Sequence, residues 1–214
     1  MKVYFVRHGE GVHNANHLYS YPEAPLTDKG MQQAKFAGKR IKTLPIELII
    51  SSPYKRTVQT TNIINKNLNK KVIYNDLAVE IRRPTEISGK NRYDPDIIKI
   101  KKQLDKHFHL PNWHFSDEEN FYDLRKRAFV FITYLQSLKQ QQVLVVTHMV
   151  FIQAVVLTMM LGEKLTASVL LRAYKFFFLE TSGLTLCEYK DNDWKLITWN
   201  DISHLADSSN GFSG

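Results

Sequence analysis

The sequence predicts an α/β fold: a three-layer sandwich with a mostly parallel central sheet flanked by helices, and an inserted cap over the C-terminal edge of the strands. Three observations carry that prediction. Short apolar runs alternate with longer runs of helical periodicity, the order that builds a parallel sheet covered by helices. Three of the short runs stop abruptly in polar residues, at Arg7-His8, Ser51-Ser52 and Thr147-His148. Parallel strands bring such ends to one edge of the sheet. Finally, 214 residues with 43% hydrophobic content suit one large domain with a core of its own.

The first strand is read at Lys2 to Val6, where Val3, Phe5 and Val6 are apolar and Tyr4 is a good strand former. It ends in Arg7-His8-Gly9, where Gly9 would let backbone come close to a ligand. Pro22 and Pro25 mark a loop, and Thr27 or Asp28 is the expected N-cap of a helix carrying Met31, Ala34, Ala37 and Ile41. Pro45 ends it. Ile46 to Ile50 is a second strand, followed by a helix with Ser52 as N-cap, Pro53 at its first position, and Val58, Thr61, Ile64 and Leu68 inside. Lys71 to Tyr74 is a third strand. Residues 75–115 are irregular and charged, with a short helical stretch at Pro95 to Lys106, and read as the cap. Ser116 to Glu119 reads as a capping box opening a long amphipathic helix with Phe121, Leu124, Ala128, Ile132, Leu135 and Leu138 on its inner face. Val143 to Thr147 is a fully apolar strand, and Phe151 to Leu161 a central buried helix. Lys175 to Glu180, Leu184 to Tyr189 and Lys195 to Trp199 read as closing strands, with a hairpin at Asp191-Asn192-Asp193. A single domain over residues 1–205 is expected, with 206–214 a disordered tail.

Charge and composition narrow the function. Lys and Arg number 29 against 21 Asp and Glu, a formal net charge of +8 and a pI near 9.4, which favours anionic ligands. Basic residues are spread along the chain without a run of five or an aromatic interleave, so no nucleic-acid partner is expected. Cys187 is the only cysteine; it reads as a small buried apolar residue, and a cytoplasmic, reducing compartment fits. Strand character from residue 2 argues against a signal peptide. Val143 to Leu161 is interrupted by His148, Gln153 and threonines, so no membrane span is expected.

Bringing the three strand ends together gathers Arg7, His8, Gly9, Arg56 and His148, beside the N–H groups of the helix that follows Ser52. Two guanidiniums, a second imidazole and a helix N-terminus make a receptor for a dianion. Inside it a histidine is a natural phosphoryl acceptor: one ring nitrogen attacks while a backbone carbonyl holds the other and fixes the tautomer. Fixed donors meet the charge on the phosphoryl oxygens, so no metal or cofactor is needed.

The segment Arg7-His8-Gly9-Glu10-Gly11 with trailing Asn14 resembles the signature of the histidine phosphatase superfamily, the phosphoglycerate mutase-like family. The stretches from Leu26 to Ala34, Ser51 to Thr60, Val146 to His148 and Asn200 to Leu205 are similar to its other segments, in the same order. The resemblance implies His8 as phosphohistidine nucleophile, with Arg7, Arg56 and His148 binding the phosphoryl group and Asn14 orienting it. It implies Glu80 as the proton donor; Glu86, beside Arg82 and Arg83, is the rival. Gly9, Glu10, Met149, Arg82 and Arg83 complete the expected substrate contacts. Two departures stand out: Gly11, where many members carry Ser or Thr, and Met149-Val150, where many carry glycine. His13 and His17, four apart, read as loop histidines, His107, His109 and His114 as solvated cap residues, and Phe176 to Phe178 as sheet core.

The leading expectation is a metal-independent phosphatase of a small phosphorylated metabolite, acting as a monomer or homodimer. The alternatives are mutase-type phosphoryl transfer and a non-catalytic phospho-ligand binding module.

Overall fold

The sheet is built from six strands: β1 (Lys2–Arg7), β2 (Leu48–Ser51), β3 (Val72–Tyr74), β4 (Gln142–Thr147), β5 (Leu184–Lys190) and β6 (Asp193–Asp201). In the computed structural model, which describes residues 1–206, they lie in the order β3-β2-β4-β1-β5-β6. The first four are mutually parallel, and β5 and β6 close the edge antiparallel. Helices follow as α1 (Val12–Ala15), α2 (Asp28–Ile41), α3 (Lys55–Asn65), α4 (Pro95–His107), α5 (Phe121–Gln136), α6 (Met149–Leu161), α7 (Ala167–Phe176) and α8 (Ser203–Ala206).

Alternation along each strand divides the core into two layers. Val3, Phe5, Ile50, Val143 and Val145 face α5, α6 and α7, packing on Phe131, Phe151 and Leu170. Tyr4, Val6, Ile49, Leu144 and Val146 point the other way, onto Ala37 and Ile41 of α2 and Ile64 of α3. Each such fully buried large side chain contributes about 1.5–3 kcal/mol relative to exposure. Residues 75–115 carry a short 3-10 turn at Asp76–Ala78 and α4, over a small separate core of Ile87, Ile97 and Leu104.

Several elements differ from their expected form. The helix after β2 starts at Lys55, with Tyr54 as N-cap; Ser52 instead accepts the Tyr54 N–H at 3.3 Å. The first N–H of that helix, Lys55 N–H, donates to Pro22 O at 2.9 Å. Asn120, not Ser116, caps α5; it forms the capping box with Asp123, and that frees Glu119 for another task. Lys175 to Glu180 is not a strand. Thr166 caps α7 by accepting from Val169 N, and Ala167, Leu170 and Ala173 face the core at helical spacing through Phe176. Phe176, which ends α7, and Phe177 and Phe178 after it are therefore not sheet core: Phe176 is 79% and Phe178 55% exposed. His13 is also no loop residue, since α1 places it inside the protein. Residues 207–214, the bulk of the expected tail, lie outside the described residues. Among the described residues no helix is long and apolar enough to cross a membrane.

Candidate active site

Strand β1 delivers Arg7 and His8 to the C-terminal edge of the sheet, in register with Thr147 at the end of β4. His8 is 2% exposed, and its Nδ1 lies 2.6 Å from Gly9 O, so Nδ1 carries the proton and donates. That leaves Nε2 as an unprotonated lone pair, which accepts from Arg56 Nε at 3.1 Å. Burial first, then the Arg56 and Arg7 charges, push the imidazole well below its usual range. Burial and the neighbouring guanidiniums thus favour the neutral ring.

Arg56, fully buried in the first turn of α3, is the hub. It donates to Tyr21 O at 2.9 Å, Ser20 Oγ at 2.6 Å and His148 Nδ1 at 3.0 Å. His148 therefore carries its proton on Nε2, which donates to Ser52 Oγ at 2.9 Å. Ser52 was expected to cap a helix; its work is to set the tautomer of the second histidine. Desolvation lowers the Arg56 pKa to about 10, still cationic at neutral pH. Arg7 donates to Leu179 O, leaving its buried Nε without a partner.

A cavity of about 500 Å³ opens over Arg7 and His8; Arg56 and His148, bonded behind His8, do not line it. Arg7, His8, Glu10, Asn14, Glu80, Arg83 and Met149 line it, so the expected nucleophile and expected proton donor share one space. Glu80 accepts from its neighbour Ile81 N at 2.9 Å and from Phe151 N at 3.2 Å. The N-terminus of α6, rather than that of α3, is the helix end that meets a site carboxylate.

Other expected residues are placed differently. Glu86 accepts from Ser116 Oγ at 2.8 Å and does not line the cavity. The Arg82 guanidinium is 3.2 Å from Glu119 and also stays outside it. Gly9 does not make room for a ligand. A β-carbon there would stand 2.3 Å from Gly30 O, so its smallness serves the packing of β1 on α2. Asn14 Oδ1 accepts from Gly11 N at 3.2 Å, and Glu10 accepts from Thr27 Oγ1 at 2.9 Å.

Two residues of the site were not singled out from sequence. His13 lines the cavity, 3% exposed, with its ring centroid 5.8 Å from that of His8. Its place in the pattern between His8 and Asn14 was the available signal. Arg127 on α5 forks onto Glu119 with two bonds of 2.6 Å and donates to Leu77 O and Val79 O at 2.8 Å and Glu80 O at 3.3 Å. It holds the backbone that presents Glu80. Nothing local marks an amphipathic-helix arginine for that role.

Comparison with known proteins places the chain in a family. The description of the histidine phosphatase superfamily (branch 1) matches residues 3–202. A Proteus mirabilis protein named probable phosphoglycerate mutase GpmB is 28% identical over 97% of this chain and 96% of its own length. Among solved structures, Bacillus stearothermophilus YhfR superposes with a TM-score of 0.80 at 22% identity, covering 95% of this chain and 98% of that one. Phosphoserine phosphatase from Entamoeba histolytica, in complex with 3-phosphoglyceric acid, gives 0.75 at 22% identity over 95% and 98%.

Proposed function

Because this chain belongs to the histidine phosphatase superfamily, we propose that it hydrolyses a phosphate monoester of a small metabolite through a phosphohistidine on His8. The observation that carries this reading is the His8 ring. Nδ1–H is tied to Gly9 O, Nε2 is unprotonated, and the ring borders a cavity it shares with Glu80. In the first step Nε2 attacks phosphorus; the bond to the leaving oxygen breaks as Glu80 gives that oxygen a proton. Arg7 and Arg56 meet the negative charge on the phosphoryl oxygens, and His148, accepting from Arg56, holds that guanidinium in place. In the second step water attacks phosphorus, Glu80 takes its proton, and the P–N bond breaks to release phosphate and restore neutral His8.

The outer wall of the cavity is apolar and aromatic, with Tyr19, Leu104, Phe108, Trp113 and Tyr174, beside Arg83 and Lys101. That wall suits an organic body larger than glycerate, and it favours a phosphatase over a mutase. The mutase reading rests on the names of relatives such as the Proteus protein. A binding-only module has no use for an acid beside the nucleophile. The buried single thiol Cys187, pushed up to about 12 by burial, suits a reducing cytoplasm.

The test is rapid quench with a ³²P-labelled phosphate ester. An acid-labile, base-stable label should form on the wild type and vanish in His8→Ala, whose fold should be retained. A label that survives His8→Ala would sink the assignment.

A further inference from the structure

The cavity contains a third imidazole that the steps above leave idle. His13 is buried beside His8, and its Nδ1 is buried without a hydrogen-bond partner. What admits the ring is Gly11. A β-carbon at position 11 would lie 2.6 Å from His13 Nδ1, 2.7 Å from His13 Cε1 and 3.4 Å from Arg56 Cδ. The first two separations are impossible in a packed interior, so a side chain at position 11 and this ring position exclude each other. The Nδ1–Cε1 edge thus rests on Gly11, and the Nε2–Cδ2 edge is left for the cavity that His13 lines.

We propose that His13 is a catalytic residue whose Nε2–H donates a hydrogen bond to a non-bridging oxygen of the phosphoryl group passing to His8. This rests on the phosphohistidine reading above. The tautomer follows from the packing: a proton on Nδ1 would be a buried donor with no acceptor, whereas one on Nε2 can reach the substrate. Burial, reinforced by Arg56, Arg92 and Arg7, holds the free ring neutral, with its pKa at about 3. A neutral donor adds a hydrogen bond without adding another cation to a site already crowded with guanidiniums. Because charge spreads over the equatorial oxygens in the transition state, a fixed donor there accelerates the chemical step. No bond to His13 forms or breaks.

Five variants and two readouts test this: kcat/KM on p-nitrophenyl phosphate, and affinity for orthovanadate, a mimic of the trigonal phosphoryl group. His13→Ala should lower both by about 10–10²-fold with an unchanged melting curve. His13→Gln, whose amide N–H reaches near the Nε2 position, should recover most of the loss, and His13→Asn, whose amide falls near Nδ1, should not. Gly11→Ala should reproduce His13→Ala by displacing the ring, and the double variant should be no worse than either single one. Unchanged kcat/KM and vanadate affinity in His13→Ala would overturn the proposal, as would losses that multiply in the double variant. Vanadate binding keeps the two readings distinguishable. A wild type that turns nothing over but loses vanadate affinity with His13 refutes the phosphatase alone; turnover indifferent to His13 refutes the donor alone.

Discussion

The tautomer of each site histidine is decided by its neighbours. Gly9 O accepts from His8 Nδ1 and leaves Nε2 unprotonated, while Ser52 Oγ and Arg56 impose the opposite tautomer on His148. Position also supports Glu80 over Glu86 as the proposed proton donor. Glu80 lines the cavity, whereas Glu86 is engaged with Ser116 on the surface. Glu80→Gln should slow cleavage of a glycerate- or sugar-type phosphate by about 10²–10⁴-fold, and cost far less with p-nitrophenyl phosphate, whose phenolate leaves without a proton. Glu86→Gln should show no such dependence on leaving group. The ratio of kcat/KM for the two substrates, taken from pre-steady-state bursts, checks both; a large leaving-group effect in Glu86→Gln alone would reverse the roles.

Among the elements, α5 does more than fill the core. Its Arg127 is 6% exposed and locked to Glu119, which also accepts from Arg82 N at 3.0 Å. This fork staples the segment from Leu77 to Arg82 against the helix, and with it Glu80. Arg127→Met leaves buried Glu119 with only the half-exposed Arg82 as ionic partner and should cost about 3–5 kcal/mol, read by urea denaturation. Arg127→Met combined with Glu119→Leu should regain much of that stability, since the orphaned charge is gone. It should not regain kcat, because the carbonyls of Leu77, Val79 and Glu80 remain untethered. Recovery of both together would mean that Arg127 stabilises without positioning. At the same scale, Asn120→Ala removes the α5 cap and should cost about 1 kcal/mol with little change in turnover.

For the whole molecule, the burial of neutral imidazoles links folding to pH. In the unfolded chain a histidine takes up its proton near pH 6.5, whereas folded His13 does so only near pH 3. Between those values the unfolded state binds more protons. Stability is therefore fully present above pH 6.5 and is lost as the pH falls, by up to about 1.4 kcal/mol per pH unit for each such histidine. His8 and His148 shift in the same direction and add to the slope. His13→Gln should flatten stability against pH between 6.5 and 4, and an unchanged slope would show that this ring is not held neutral. Because guanidiniums occupy the place a cation would take, EDTA should leave turnover unchanged; a strict need for added Mg²⁺ would contradict the site. The net charge of +8 should make capture of anionic substrates weaken with ionic strength, visible in kcat/KM rather than kcat.

Much of this was legible in one dimension, because apolar alternation and turn chemistry are local. The four parallel strands, the Thr27-capped α2 and the meeting of Arg7, His8, Arg56 and His148 follow from where short apolar runs end, given that parallel strands share an edge. What local pattern could not decide is what lies across a gap. Phe176 to Phe178 have strand composition, yet they end and follow a helix whose Ala167, Leu170 and Ala173 found a core to face. Ser52 looks like a cap until His148 is found 2.9 Å from its hydroxyl. Ser116 to Glu119 reads as a helix start, but Glu119 turns to an arginine eight residues on in sequence and the cap falls to Asn120. Gly11 and His13 were separate oddities in the chain; only the fold shows that the missing β-carbon of one is the space occupied by the ring of the other. Residue type and spacing specify which groups a strand end can present, but their partners come from remote elements, and burial converts those partners into tautomers, charges and roles.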